Sequence, residues 1–204
     1  MKILAIGAHP DDIEYGCGGF LLKAKRSGDK IYLYVLTKGE KGGIPEVREK
    51  EQKKAAEYIG AEELFWGNFK DTDLPPLNIL IPKIEEVIEK ILPDEIYVNY
   101  IEDTHQDHRT LAYSVISAAR YIKNVIYYED YTSINFEPNL FVDIEDVLEE
   151  KIKLLKFHKS QVERKYPTGL DIIESVRDIA NFRGFQGKVK YAEGFKAFRY
   201  LIKR

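Results

Sequence analysis

Ala8-His9-Pro10-Asp11-Asp12 lies between an apolar run, residues 2–7, and the small-residue segment Gly16-Cys17-Gly18-Gly19. The run reads as a buried strand and the segment opens an apolar helix pattern, so the five residues form the turn of a strand-to-helix unit. In a doubly wound fold this turn is where a dinucleotide's pyrophosphate meets free backbone N–H groups at a helix start. Here the turn carries two carboxylates, which repel phosphate. An imidazole and a carboxylate three positions apart on a tight turn can instead converge on a divalent cation. The turn therefore reads as half of a metal site.

Outward from the turn, strands alternate with helices. The pattern predicts a helix over 18–27 stopped by Gly28, a buried strand over 31–36, a Gly-rich loop over 37–43, and a charged helix over 46–59 closed by Gly60. A short strand (64–66), a loop (68–78), an amphipathic helix (79–92) stopped by Pro93, and a fourth strand (95–99) follow. Then Thr104-His105-Gln106-Asp107-His108-Arg109 leads into a helix over 109–122. Beyond it come a strand over 125–128, a candidate strand over 140–142, helices over 144–157 and 170–181, and an alternating run over 195–202 that reads as an edge strand.

This alternation predicts an α/β fold: a doubly wound, mostly parallel Rossmann-like sheet of order 3-2-1-4-5 flanked by helices, in one domain spanning 1–204. In that order strands one and four are neighbours at the topological switch point, where their carboxyl ends flank one crevice. The loop with His9, Asp11 and Asp12 then meets the loop with His105, Asp107 and His108.

Hydrophobic residues make up 44% of the chain and charged residues 32%, values of a globular domain. A formal charge of -3 gives no basic footprint for nucleic acid or an anionic membrane surface. No apolar run approaches a membrane span, and no secretory leader pattern precedes the first strand. The single cysteine, Cys17, excludes an internal disulfide and fits a reducing compartment, so a cytoplasmic location is expected.

Three of the four histidines fall in the two converging loops, together with three aspartates. A His, Asp, His set with an open position suits catalytic Zn²⁺, and the same set can hold Fe²⁺ for oxygen chemistry. Adjacent carboxylates favour hydrolysis: if Asp12 binds metal, Asp11 is left facing the water that the cation acidifies. Of His105 and His108, one can ligate while the other faces substrate, and Asp107 could orient either ring.

These residues carry a family resemblance. Ala8-His9-Pro10-Asp11-Asp12-Ile13-Glu14, the glycines Gly16, Gly18 and Gly19, and His105-x-Asp107-His108 resemble the LmbE-like or PIG-L-like zinc-dependent deacetylases, which remove acetyl groups from N-acetylglucosamine conjugates. Thr37-x-Gly39-Glu40, Arg48 with Glu51, Ala55-Ala56, Ser160-Gln161 and Tyr191-Ala192-Glu193-Gly194-Phe195 extend it over nearly the whole chain. The resemblance implies one zinc per chain on His9, Asp12 and His108, Asp11 as general base, and His105 as acid or oxyanion donor with Asp107 behind it. It also implies an N-acetylated amino-sugar conjugate as substrate and leaves homo-oligomerisation open; because 204 residues leave little beyond the core fold, a small conjugate rather than a polymer is expected. Gln106 stands where the family commonly has proline.

Other residues have two readings each. Arg48 resembles a substrate-contacting arginine of the bacillithiol-pathway members, while its Lys- and Glu-rich helix also suits a solvated face. Tyr191, Glu193 and Phe195 would close the pocket or pack as an edge strand. Gly39, Gly42 and Gly43 would cradle a phosphate or serve turn geometry, and His158 is expected at the surface or as a cap. Two rival functions remain: a dinucleotide-binding oxidoreductase and a non-catalytic metal- or sugar-binding protein of the same fold.

Overall fold

The computed structural model describes residues 1–164 and 166–202. Among these residues, seven strands form one sheet: β1 (Lys2–Gly7), β2 (Lys30–Thr37), β3 (Glu63–Phe69), β4 (Glu95–Asn99), β5 (Asn124–Tyr128), β6 (Leu140–Asp143) and β7 (Ala192–Arg199). Their order is β3-β2-β1-β4-β5-β7-β6. The first five are parallel and follow the expected 3-2-1-4-5. Among the described residues, seven α-helices flank them: α1 (Asp12–Arg26), α2 (Pro45–Ile59), α3 (Leu77–Ile91), α4 (Gln106–Ala118), α5 (Leu148–Leu155), α6 (Lys159–Val162) and α7 (Ile172–Gly187). Among the described residues, no helix is long and apolar enough to cross a membrane.

Alternate residues of β1 serve opposite faces of the sheet, as the two-residue period of a strand requires. Ile3 and Ala5 join a core with Leu21, Ala55, Leu154 and Val176 on the side of α1, α2, α5 and α7. Leu4 and Ile6 join a second core with Leu80, Ile84, Leu111 and Val115 of α3 and α4. A strand buried on both faces reads as a continuous apolar run, which is what residues 2–7 show.

The terminal run departs from expectation. β7 is not an edge strand but lies antiparallel between β5 and β6, which is itself the edge. Its first four residues, Ala192 to Phe195, are all buried, so sheet contacts on both sides override the alternation seen further on.

The first helix also begins earlier than its apolar pattern, at Asp12, and kinks at Cys17, whose backbone is non-helical (φ −139, ψ 16). The kink frees two N–H groups, and Glu193 accepts both, from Gly19 at 2.8 Å and Phe20 at 2.7 Å. Lys151 Nζ pairs with the same carboxylate at 2.6 Å. Glu193 and Phe195 are thus interior packing groups of the sheet. Gly16 is required by contact: a Cβ there would stand 2.1 Å from the Tyr128 ring.

Candidate metal centre

The residues of the site sit at the carboxyl ends of the parallel strands. His9 and Asp11 occupy the β1–α1 turn, and Asp12 is the first residue of α1. His105 is the N-cap of α4, with Asp107 and His108 in its first turn. Because β1 and β4 are paired, the two turns meet across the switch point. The Asp12 carboxylate folds back onto the turn, where its Oδ2 accepts from Ala8 N at 2.9 Å, His9 N at 3.0 Å and Asn99 Nδ2 at 3.3 Å. The Ala8 and His9 N–H groups of the turn are therefore taken by the protein's own carboxylate.

Two imidazoles face that carboxylate. His108 Nε2 lies 3.3 Å and His9 Nδ1 3.5 Å from Asp12 Oδ2. Each ring turns its other nitrogen to a further carboxylate: His108 Nδ1 to Asp103 at 3.1 Å, His9 Nε2 to Asp107 and Asp71 at 3.2 Å each. A ligating histidine is ordinarily oriented in this way, with the non-ligating nitrogen held by a carboxylate that fixes tautomer and ring plane. Burial pulls the pKa of His108 down, but Asp12 and Asp103 outweigh it and hold the ring up at about 10; His9 is likewise held well above its ordinary value against burial, by Asp12, Asp107 and Asp71. The cluster thus demands positive charge. A divalent cation meets that demand and takes the donor set present, two imidazole nitrogens and a carboxylate.

Asp107 does not stand behind His105. Successive helical residues diverge by about 100°, and from the first turn of α4 the Asp107 side chain reaches across to His9 while its backbone N–H donates to His105 Nδ1 at 3.2 Å. With Nδ1 accepting, Nε2 is the protonated nitrogen of a neutral His105 ring. Burial, then His9 and His108, lower the pKa of His105. The ring stacks on His108 at 4.8 Å between centroids.

Asp11 is half-buried beside Asp12, and burial raises its pKa against the opposing pull of Arg48. Arg48 is not on a solvated face. Its guanidinium donates to Pro10 O at 2.6 Å, Gly39 O at 2.9 Å and Asp11 Oδ1 at 3.1 Å. Gly39, at φ +65, lies so close to this guanidinium that a Cβ would meet it at 2.0 Å. The Gly-rich loop therefore seats an arginine rather than a phosphate.

His158 is fully buried, not at the surface: it closes the last turn before α6 with Nε2 3.3 Å from Glu14 Oε2. Sequence reasoning also passed over Asp71, Asp103 and Asp130. Aspartates in loops ordinarily read as solvated turn residues, and only the fold brings these three inward. Asp130, after β5, lies with Asp12 and His108 in a cluster whose ligand atoms are all within 4.8 Å of one another, and burial pushes its carboxyl up to about 8. His9, Asp11, Asp12, His105 and His108 open into a cleft of about 240 Å³ walled by Lys41, Thr72, Tyr131 and Tyr166.

The family described as PIG-L: GlcNAc-PI de-N-acetylase matches residues 4–119. The uncharacterized deacetylase YaiS of Escherichia coli K12 is 36% identical over 168 residues, covering 78% of this chain and 90% of that protein. The diacetylchitobiose deacetylase of Thermococcus kodakarensis is 31% identical over 226 residues, covering 96% of this chain and 82% of its own length. Among solved structures, the N,N'-diacetylchitobiose deacetylase of Pyrococcus horikoshii, complexed with its inhibitor, superposes with a TM-score of 0.83 at 26% identity, over 97% of this chain and 83% of that one.

Proposed function

The chain belongs to the PIG-L family of de-N-acetylases, and from that premise we propose that it is a zinc-dependent hydrolase removing the N-acetyl group from a small N-acetylglucosamine-type conjugate. The products are the free amine and acetate. The observation that carries this reading is the turning of His9 Nδ1 and His108 Nε2 toward the one carboxylate of Asp12, with Asp11 beside them at the cleft.

His9, Asp12 and His108 would hold the ion, with Asp71, Asp107 and Asp103 orienting the two rings. When bound, the cation supplies Lewis acidity to the amide carbonyl and acidifies the attacking water. Asp11 takes the proton of that water as it adds to the carbonyl carbon. His105 Nε2–H points its hydrogen bond at the oxyanion that develops on the former carbonyl oxygen. Collapse breaks the C–N bond, and the proton held by Asp11 passes to the departing amine. Arg48 keeps the Asp11 carboxylate at the mouth of the site through their 3.1 Å contact.

A cleft of about 240 Å³ suits one sugar ring and a short appendage better than a polymer lying across many subsites. A dinucleotide oxidoreductase is disfavoured because the Asp12 carboxylate occupies the turn N–H groups of Ala8 and His9 and puts negative charge where a pyrophosphate would lie. The test is acetate release from N-acetylglucosamine conjugates and N,N'-diacetylchitobiose by the purified protein, before and after chelation and with Zn²⁺ or Fe²⁺ restored. Chelator-sensitive release recovered by Zn²⁺ supports the reading; release unaffected by complete metal removal contradicts it.

A further inference from the structure

Gln52 lies on α2 with no exposed surface, between two groups of fixed polarity. Its Oε1 accepts the backbone N–H of Asp11 at 3.3 Å, and its Nε2 donates to Glu14 Oε1 at 2.6 Å. A backbone N–H only donates and a carboxylate only accepts, so the side chain joining them must accept at one end and donate at the other. An amide meets both demands. Behind Glu14 stands the buried His158, with Nε2 3.3 Å from Glu14 Oε2. A hydrogen-bonded row thus runs from Glu14 through Gln52 to the Asp11 backbone, with His158 beside its far end.

Asp11 is where such a row has a mechanical purpose. Its φ of 100, with ψ −27, lies in the left-handed region that non-glycine residues seldom occupy. A conformation of this kind persists only where the surroundings over-determine it. Arg48 grips the Asp11 carboxylate and the preceding Pro10 carbonyl, and Gln52, one turn further along α2, grips the Asp11 N–H. Release of the N–H would let the peptide rotate and carry the carboxylate off its line to the reacting water.

We propose that Gln52 is the positioning residue for Asp11, its amide fixed in turn by Glu14. This rests on Asp11 acting as the general base. Gln52 touches neither substrate nor cation; it acts through the backbone of the residue that does the chemistry.

The test uses the full-length, zinc-loaded protein with N,N'-diacetylchitobiose as the probe substrate. Gln52→Met keeps length and volume but donates nothing and offers only a weakly accepting thioether. Its kcat should fall by about 10- to 100-fold, the scale of a small misplacement of a catalytic group, with KM and zinc content unchanged. The Asp11 amide should also exchange its hydrogen faster. The paired exchange Glu14→Gln with Gln52→Glu reverses donor and acceptor between the two side chains while still accepting from Asp11 N–H, and should restore most of the lost kcat.

Unchanged kcat in Gln52→Met overturns the proposal. So does loss of zinc in step with loss of turnover, or an exchange variant that is folded and zinc-loaded yet as slow as Gln52→Met. Where Gln52→Met does not fold, the exchange variant decides alone: near-parental kcat supports the row, and the kcat loss expected of Gln52→Met overturns it. Asp11→Asn is the control. Parental turnover in that variant removes the general-base reading and this proposal with it, whereas a slow Asp11→Asn beside an unaffected Gln52→Met overturns the positioning role only.

Discussion

Asp107 Oδ2 lies 3.2 Å from His9 Nε2, so a residue in the first turn of α4 orients a ring on the turn after β1. Asp103 does the same for His108 from the loop before α4, at 3.1 Å. Each half of the centre is thereby fixed from the β4–α4 side. The arrangement of His9, Asp12 and His108 depends on the pairing of β1 with β4 and not on either turn alone.

Removing these orienting carboxylates should weaken the metal without removing it. For Asp107→Ala and Asp103→Ala we expect zinc affinity to fall by about 10- to 100-fold, read by competition with a chelator of known affinity. Affinity equal to the parent's in both variants would show that the rings are held by something else.

Glu193 serves the fold and not the site. It satisfies the two N–H groups freed by the kink in α1 and neutralises buried Lys151. Glu193→Ala leaves a buried cation and two donors unpaired and should cost about 3–5 kcal/mol in a urea titration, while the zinc content of the folded fraction stays at the parental value. A loss below about 1 kcal/mol would contradict this account of the kink.

His158 predicts a pH dependence of stability. Burial alone lowers its pKa, but the Glu14 carboxylate outweighs burial and leaves it above the ordinary value. A histidine raised on folding stabilises most below its unfolded pKa of about 6.5, and that contribution fades as pH climbs through the folded value. The stability difference between the parent and His158→Gln should therefore be larger at pH 6 than at pH 9, measured by urea midpoints. A difference that grows with pH would reverse the assignment of charge.

Much of this architecture is legible in the sequence because the parallel strands are continuous apolar runs and the helices between them keep a 3.6-residue period. That alone orders the first five strands and brings His9 and Asp12 to face His108. The antiparallel insertion of β7 between β5 and β6 leaves no such trace, since its pairing is decided by contacts distant in sequence. Asp71 and Asp103 escape for a related reason: a carboxylate in a polar loop looks the same whether it meets solvent or an imidazole. Gln52 sits among charged residues of α2 and His158 at the N-cap of α6, and only the packing of these segments against α1 turns them inward.

The central claim separates two neighbouring carboxylates, Asp12 as a ligand and Asp11 as the base. The direct measurement is zinc content, zinc affinity and acetate release for Asp11→Asn and Asp12→Asn side by side. Asp11→Asn should keep its zinc and lose about 10²- to 10⁴-fold in turnover, because an amide cannot accept the water's proton. Asp12→Asn should lose zinc affinity and activity together, with excess zinc returning part of both. Zinc lost from Asp11→Asn and retained by a merely slowed Asp12→Asn would exchange the two roles and contradict the mechanism.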